Sequence, residues 1–285
     1  MAEPLQHIRF AGRTTRTANY VTKRSRTTVA PSSEGVNPFI AWVLERAGLD
    51  AACYRAAPLE RRLAACLRAL HARTEAEGRQ ILERRPELLA TAVSALLIGV
   101  TAFFRDRAVF EALRTEVVPL LSRRRRPLRI WSAGCANGAE LYSMAILLAE
   151  AGLLEGSYLL GSDCRRDAVE QARTARHELP AREAAPLQGG ITRFSEKQSW
   201  HPIEPLRRCL HWKVADLNRG VEAGPWDMLL WRNMAIYLTS EVAASTWQAL
   251  AAVLSPGGVL VVGQAERPPA ELPLTCVSRC IYRLM

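Results

Sequence analysis

The stretch that most constrains the fold runs from Leu128 to Met144, Leu-Arg-Ile-Trp-Ser-Ala-Gly-Cys-Ala-Asn-Gly-Ala-Glu-Leu-Tyr-Ser-Met. Leu128 to Ser132 is a short apolar run, a glycine-bearing turn follows, and Tyr142, Met144, Ala145, Leu147 and Leu148 then recur at helical spacing. The pattern is strand, tight turn, helix. Gly134 and Gly138 can take positive φ and leave the backbone open to close approach, with the amides of a helix N-terminus facing the ligand. Turns of this kind hold nucleotide-like cofactors. The spacing is not G-x-G-x-x-G, and a bare strand-to-helix turn would also use glycine.

Downstream residues narrow the choice. Leu159 to Ser162 reads as a second strand ending at Asp163, where a carboxylate can accept hydrogen bonds from both hydroxyls of a ribose. The turn has no phosphate-binding lysine, which excludes a P-loop. A cofactor with a ribose and no phosphate to hold, S-adenosylmethionine above all, fits these residues.

Four motifs carry a family resemblance: Thr-Ala-Phe-Phe-Arg-Asp at Thr101 to Asp106, Trp-Ser-Ala-Gly-Cys with Gly138, Glu140, Tyr142 and Ser143, Arg-Asn-x-x-Ile-Tyr at Arg232 to Tyr237, and Pro-Gly-Gly at Pro256 to Gly258. In this order the chain resembles the CheR family over residues 36–284. Those enzymes esterify chemoreceptor glutamates with S-adenosylmethionine. The resemblance implies an α/β Rossmann-like methyltransferase domain, doubly wound and mostly parallel, at 127–285, carrying a small antiparallel β subdomain at about 178–215. A small all-α domain at 34–100 and a loop and linker helix at 101–126 precede it.

Matched residue by residue, the resemblance gives Thr101 and Arg105 as cofactor contacts, with Glu140 near the methionine amine and Asp163 on the ribose. It places Gly134 in the cofactor turn, Asp216 and Leu217 around the adenine, and Arg232 and Asn233, at the end of the fourth strand, among the cofactor-binding residues. Arg105 and Tyr237 are the catalytic candidates. A glutamate acceptor, with a reference pKa of about 4.3, is already an anion at neutral pH and needs orientation rather than a base. Arg105 offers a planar fork of donors for a carboxylate and Tyr237 a hydroxyl. Trp131, Phe103 and Phe104 read as packing, and Cys135 and Cys164 as bystanders. The sequence departs from the family pattern at Gly99, Ala139, Leu141, Asp216 and Trp231.

Charge is uneven along the chain. Basic residues number 6 against 1 acidic in residues 1–30, 16 against 11 in 31–126, and 16 against 16 in 127–285, so the whole net charge of +10 precedes the cofactor turn. A basic front half suggests an acidic partner. Residues 1–33, rich in Arg, Thr and Ser, are expected to be a disordered tail. In the helix after Pro58, Leu59, Leu63, Cys66, Leu67 and Leu70 share one face. Arg61 and Arg68 project opposite, with Arg62 and Arg73 at the flanks. By the resemblance, Arg61, Arg62 and Arg68 would face the acidic methylation helices of a chemoreceptor.

Seven cysteines without a C-x-x-C, and without clustered histidines, imply reduced thiols and no metal site. The N-terminus lacks a signal-peptide core, and the longest uncharged run, Leu88 to Phe104, is short for a membrane span. A cytoplasmic monomer is expected. Nucleic acid is not an expected partner, because Trp231-Arg232-Asn233-Met234 lacks an Asn-Pro-Pro-aromatic motif. Another protein or a small carboxylate as acceptor, and a cofactor-binding adaptor without turnover, remain as alternatives.

Overall fold

The computed structural model describes residues 35–97, 99, 101–174, 177–178, 192–194 and 199–285. The expected tail lies outside the described residues. Residues 33–285 form one compact unit.

The front of this unit is helical, as the periodicity requires: α1 (Pro38–Arg46), α2 (Ala56–Ala69), α3 (Glu75–Arg84) and α4 (Leu89–Leu96). Asn37 caps α1 by accepting the Phe39 and Ile40 amides, and Thr74 caps α3 through the Glu77 amide. Leu59 and Cys66 of α2 and Leu70, just past its end, are buried, while Arg61 and Arg68 are exposed. Arg62 is half-buried and donates from Nε to the Ala95 carbonyl at 3.1 Å, tying α2 to the end of α4. The Thr101–Asp106 loop leads into α5 (Arg107–Ala112), a π turn (Leu113–Val117) and α6 (Val118–Ser122).

The rest is built on a seven-stranded sheet. Its strands are β1 (Arg129–Ala133), β2 (Tyr158–Asp163), β6 (Leu210–Val214), β7 (Trp226–Trp231), β8 (Leu254–Val262), β9 (Leu274–Ser278) and β10 (Ile281–Leu284), in the order β6-β2-β1-β7-β8-β10-β9. β6, β2, β1, β7 and β8 run parallel, whereas β10 is antiparallel to both β8 and β9. α7 (Ala139–Glu150) and α8 (Arg166–Thr174) follow β1 and β2, and α10 (Ser240–Ala252) precedes β8. The order reverses at β1 and β7, so the crevice past their carboxyl ends is the ligand position of an open α/β sheet. Every residue of β7 is buried, as a strand covered on both faces must be.

Asp227 of β7 would be a costly buried charge. It is matched instead by Arg124 at 2.9 Å, Arg126 at 2.6 and 3.0 Å, the Arg129 amide and the Ser255 hydroxyl. The basic run before β1 is thus an anchor as well as a boundary.

β3 (His177–Glu178), β4 (Thr192–Phe194) and β5 (Ser199–Pro202) form the small antiparallel sheet. Its extent corrects the expected insertion at 178–215. α9 (Glu204–Cys209) ends it, and Leu210–Val214 is not part of it but the parallel edge strand of the main sheet, paired in register with β2. The Pro256-Gly257-Gly258 segment lies within β8, whose register against β7 shifts there.

Candidate active site

The turn after β1 is pinned to the end of β2. The Gly134 and Cys135 amides donate to the Ser162 carbonyl at 2.8 and 2.9 Å, and the Ala136 amide donates to Asp163 Oδ2 at 2.9 Å. Gly134 and Gly138 have φ of 75° and 86°, the left-handed values that glycine accepts at no cost. A Cβ on Gly138 would also meet the Trp212 indole at 2.5 Å. α7 starts at Ala139, earlier than the apolar pattern suggested, which puts Glu140 in its first turn.

The Phe-Phe-Arg loop is held against α7. The Phe104 amide donates to Ser143 Oγ at 2.9 Å, and that hydroxyl donates to the Ala139 carbonyl at 2.7 Å. Phe103 and Phe104 are buried, packing on Tyr142 and Phe110 respectively. Trp131 is also core, its indole donating to Ser162 Oγ.

Arg232, leaving β7, joins three pieces of the site. Nη1 meets Glu140 Oε2 at 2.9 Å, and Nη2 meets Asp106 Oδ2 at 2.5 Å and the Arg105 carbonyl at 3.2 Å. The second oxygen of Glu140 accepts from the Ser132 hydroxyl at 3.0 Å. Arg232 Nε is buried and has no hydrogen-bond partner among the described residues. Asn233 follows with φ of 60°, then the short 3-10 turn Ala235–Tyr237. Glu266, 3% exposed, accepts the amides of Asn233, Ala235 and Gly263 at 2.8, 2.7 and 2.7 Å and fixes this loop from below.

These elements enclose a cavity of about 400 Å³, within the range of small-ligand sites. Thr101, Arg105, Gly134, Glu140, Asp163, Arg232, Asn233 and Tyr237 all line it. Asp216 and Leu217 line an adjoining pocket that shares Tyr54, Gly134, Asp163, Cys164 and Met234 with the first. Every cofactor or catalytic candidate from the sequence therefore lies on one of two adjoining cavities, the second of them small, about 30 Å³. Arg61, Arg62 and Arg68 line neither.

Sequence reasoning missed Tyr54, Arg165, Met234 and Glu266. Tyr54 comes from the helical front and reaches the site through its bridge to Leu238, beside the Arg55 amide bond to the Tyr237 carbonyl. No local pattern marks it. Burial, followed by the nearby Cys164 and Asp216, holds the Tyr54 phenol well above the ordinary tyrosine range. Burial, reinforced by Asp163, likewise keeps the thiols of Cys135 and Cys164 protonated. Burial also raises the Asp216 carboxyl, whose Oδ1 accepts the Asn218 amide.

The strand order, the glycine turn, the acid ending β2 and the paired cavities define a Rossmann-like α/β enzyme that binds a nucleoside cofactor. Residues 99–278 match the family described as CheR methyltransferase, SAM binding domain. The chemotaxis protein methyltransferase of Listeria monocytogenes is 30% identical over 239 residues, covering 82% of this chain and 91% of that protein. Chemotaxis protein methyltransferase 2 of Pseudomonas aeruginosa is 30% identical over 234 residues, 77% of this chain and 81% of that one. Chemotaxis protein methyltransferase 1 of Vibrio cholerae is 27% identical over 198 residues, 64% and 70%. The chain belongs to the CheR methyltransferase family, and S-adenosylmethionine is its cofactor.

The residues present fit that cofactor. Its adenosine needs a carboxylate and an apolar slot, its methionine end an acid and cationic donors, and the two cavities offer Asp163, Leu217, Glu140 and Arg105 in that sequence. No group of three or more metal-ligating side chains occurs among the described residues, and no helix among them is long and apolar enough to cross a membrane.

Proposed function

We propose that the chain methylates glutamate side chains on the cytoplasmic helices of chemoreceptors, forming methyl esters, and that it does so in the cytoplasm. One observation carries the carboxylate acceptor: the cavity brings Arg105 and Tyr237 together without a free base among the described residues. None of the described residues lining it is a histidine or a lysine. Glu140 is engaged by Arg232 and Ser132, and Asp163 by Arg165 and Ala136. Cys135 and Cys164 are held as neutral thiols. An acceptor that must lose a proton finds no group to take it, whereas a carboxylate is already the nucleophile.

When bound, S-adenosylmethionine supplies an electrophilic methyl group. The protein's task is placement. Asp163 accepts from the ribose, Asp216 and Leu217 frame the adenine, Thr101 and Gly134 shape the walls, and Glu140 meets the methionine amine. Arg105 orients a carboxylate with two parallel donors and Tyr237 adds a third. Arg232 and Asn233 hold Arg105, Glu140 and the Tyr237 loop in register. The exposed Arg61 and Arg68 give α2 a basic face for an acidic receptor helix.

Chemoreceptor-containing membranes incubated with the protein and methyl-labelled cofactor test the reading. Label released as methanol by mild base is the expected result. Base-stable label would show an N-methyl product and end the ester assignment.

A further inference from the structure

The Asp163 carboxylate is saturated by the chain itself. Its Oδ1 accepts the Arg165 amide at 2.9 Å and Arg165 Nε at 3.0 Å; its Oδ2 accepts the Ala136 amide at 2.9 Å and Arg165 Nη2 at 3.3 Å. An ionised carboxylate offers about four lone-pair directions, and all are taken. The two side chains are only 9% and 6% exposed, and both line the cofactor cavity.

The guanidinium reaches this position because residue 99 has no side chain. A Cβ on Gly99 would lie 2.1 Å from Arg165 Nη2 and 2.7 Å from Cζ and Nη1, closer than real contacts allow. Gly99 and Arg165, 66 positions apart in the chain, therefore act as a pair.

Building on the reading of Asp163 as the ribose acceptor, we infer that Arg165 sets cofactor affinity by competing with the ribose hydroxyls for Asp163. The Ala136 and Arg165 amides are fixed by the main chain and keep their bonds. The positions open to exchange are those of Nε and Nη2, so a ribose diol gains two bonds to Asp163 only as the guanidinium gives up its own. The net gain is smaller than for an acid that faces the ribose alone. Gly99 sets how firmly the competitor sits. Cofactor and demethylated product share the ribose, so both are held less tightly.

Calorimetric titration of the full chain with S-adenosylhomocysteine, and with its 2′,3′-dideoxy analogue, tests the inference. Arg165→Met should lower Kd for S-adenosylhomocysteine by about tenfold, the worth of one net hydrogen bond, and leave Kd for the dideoxy analogue little changed. Gly99→Ala keeps the arginine but pushes its guanidinium aside. It should give part of the same gain, and nothing further when added to Arg165→Met. It also carries the test if a buried Asp163 without its counter-ion does not fold. Unchanged or weaker S-adenosylhomocysteine binding in these variants, or an equal gain by the dideoxy analogue, overturns the competition. Asp163→Ala separates the two levels: if it leaves affinity intact, the ribose assignment itself fails, whereas if it weakens binding while the Arg165 and Gly99 variants do not tighten it, only the competition fails.

Discussion

Glu266 holds Asn233 by its backbone: Oε2 accepts the Asn233 amide at 2.8 Å while Oε1 takes the Ala235 amide at 2.7 Å. One buried carboxylate thus sets the path of the loop that ends in Tyr237. Replacing it with alanine strands the buried Gly263 amide and the part-buried amides of Asn233 and Ala235, at up to about 1 to 3 kcal/mol each. Glu266→Ala should lose several kcal/mol of stability in denaturant unfolding. Glu266→Gln retains only one acceptor oxygen, so it should fold with a smaller loss and turn over at least tenfold more slowly. Wild-type turnover in Glu266→Gln would show that the loop holds its shape without the carboxylate.

Asp216 offers a test through pH. Burial raises its carboxyl above the ordinary aspartate range. A raised folded-state value means that protonation favours the folded protein, so Asp216 itself gives no loss of stability as pH falls through that range. Binding responds in the opposite sense, because an ionised Asp216 is the stronger acceptor for the proposed adenine contact. Affinity for S-adenosylhomocysteine should decline in mild acid before the fold does. Asp216→Asn should flatten that decline, and an identical slope in both proteins would move Asp216 away from the adenine.

Much of this site was legible because its signals are local. The Gly134 to Gly138 turn and Asp163 are each read within a few residues, since positive φ and a strand end leave marks in sequence. Tyr54 and Asn218 are 164 positions apart and Glu266 and Asn233 are 33, and nothing in either neighbourhood announces the contact. The Leu210–Val214 strand misled for a physical reason. As an edge strand it is largely exposed after Leu210, so it resembles half of a surface hairpin although it pairs parallel to β2. Arg62 looked like its neighbours Arg61 and Arg68 until the bond to the Ala95 carbonyl set it apart.

That difference guides the test of receptor docking. Arg61 and Arg68 are exposed on α2, so reversing both charges should leave folding and cofactor affinity intact. If α2 meets an acidic helix, the apparent KM for receptor should rise severalfold in Arg61→Glu/Arg68→Glu. The wild-type advantage should also shrink with added salt, because exposed charges are screened beyond about 8 Å at physiological ionic strength. An equal fall in cofactor affinity would instead mark α2 as structural support for the site.

Tyr237 lines the cavity with Arg105, and its carbonyl accepts the Arg55 amide at 2.9 Å, so the main chain fixes the residue whatever its ring carries. Tyr237→Phe should therefore keep the fold and change cofactor affinity little. If the hydroxyl orients the acceptor carboxylate, turnover should fall by an amount typical of one lost donor, roughly 10- to 1000-fold. No proton is abstracted from a carboxylate acceptor, so the residual rate should show no new pH dependence between about 6 and 9. A lysine acceptor, with a reference pKa near 10.4, would give a rate climbing about tenfold per pH unit across that window. Single-turnover rates of the variant across that range decide between the two: a flat profile fits a carboxylate oriented by Arg105 and Tyr237, and a rising one requires an acceptor that must first be deprotonated.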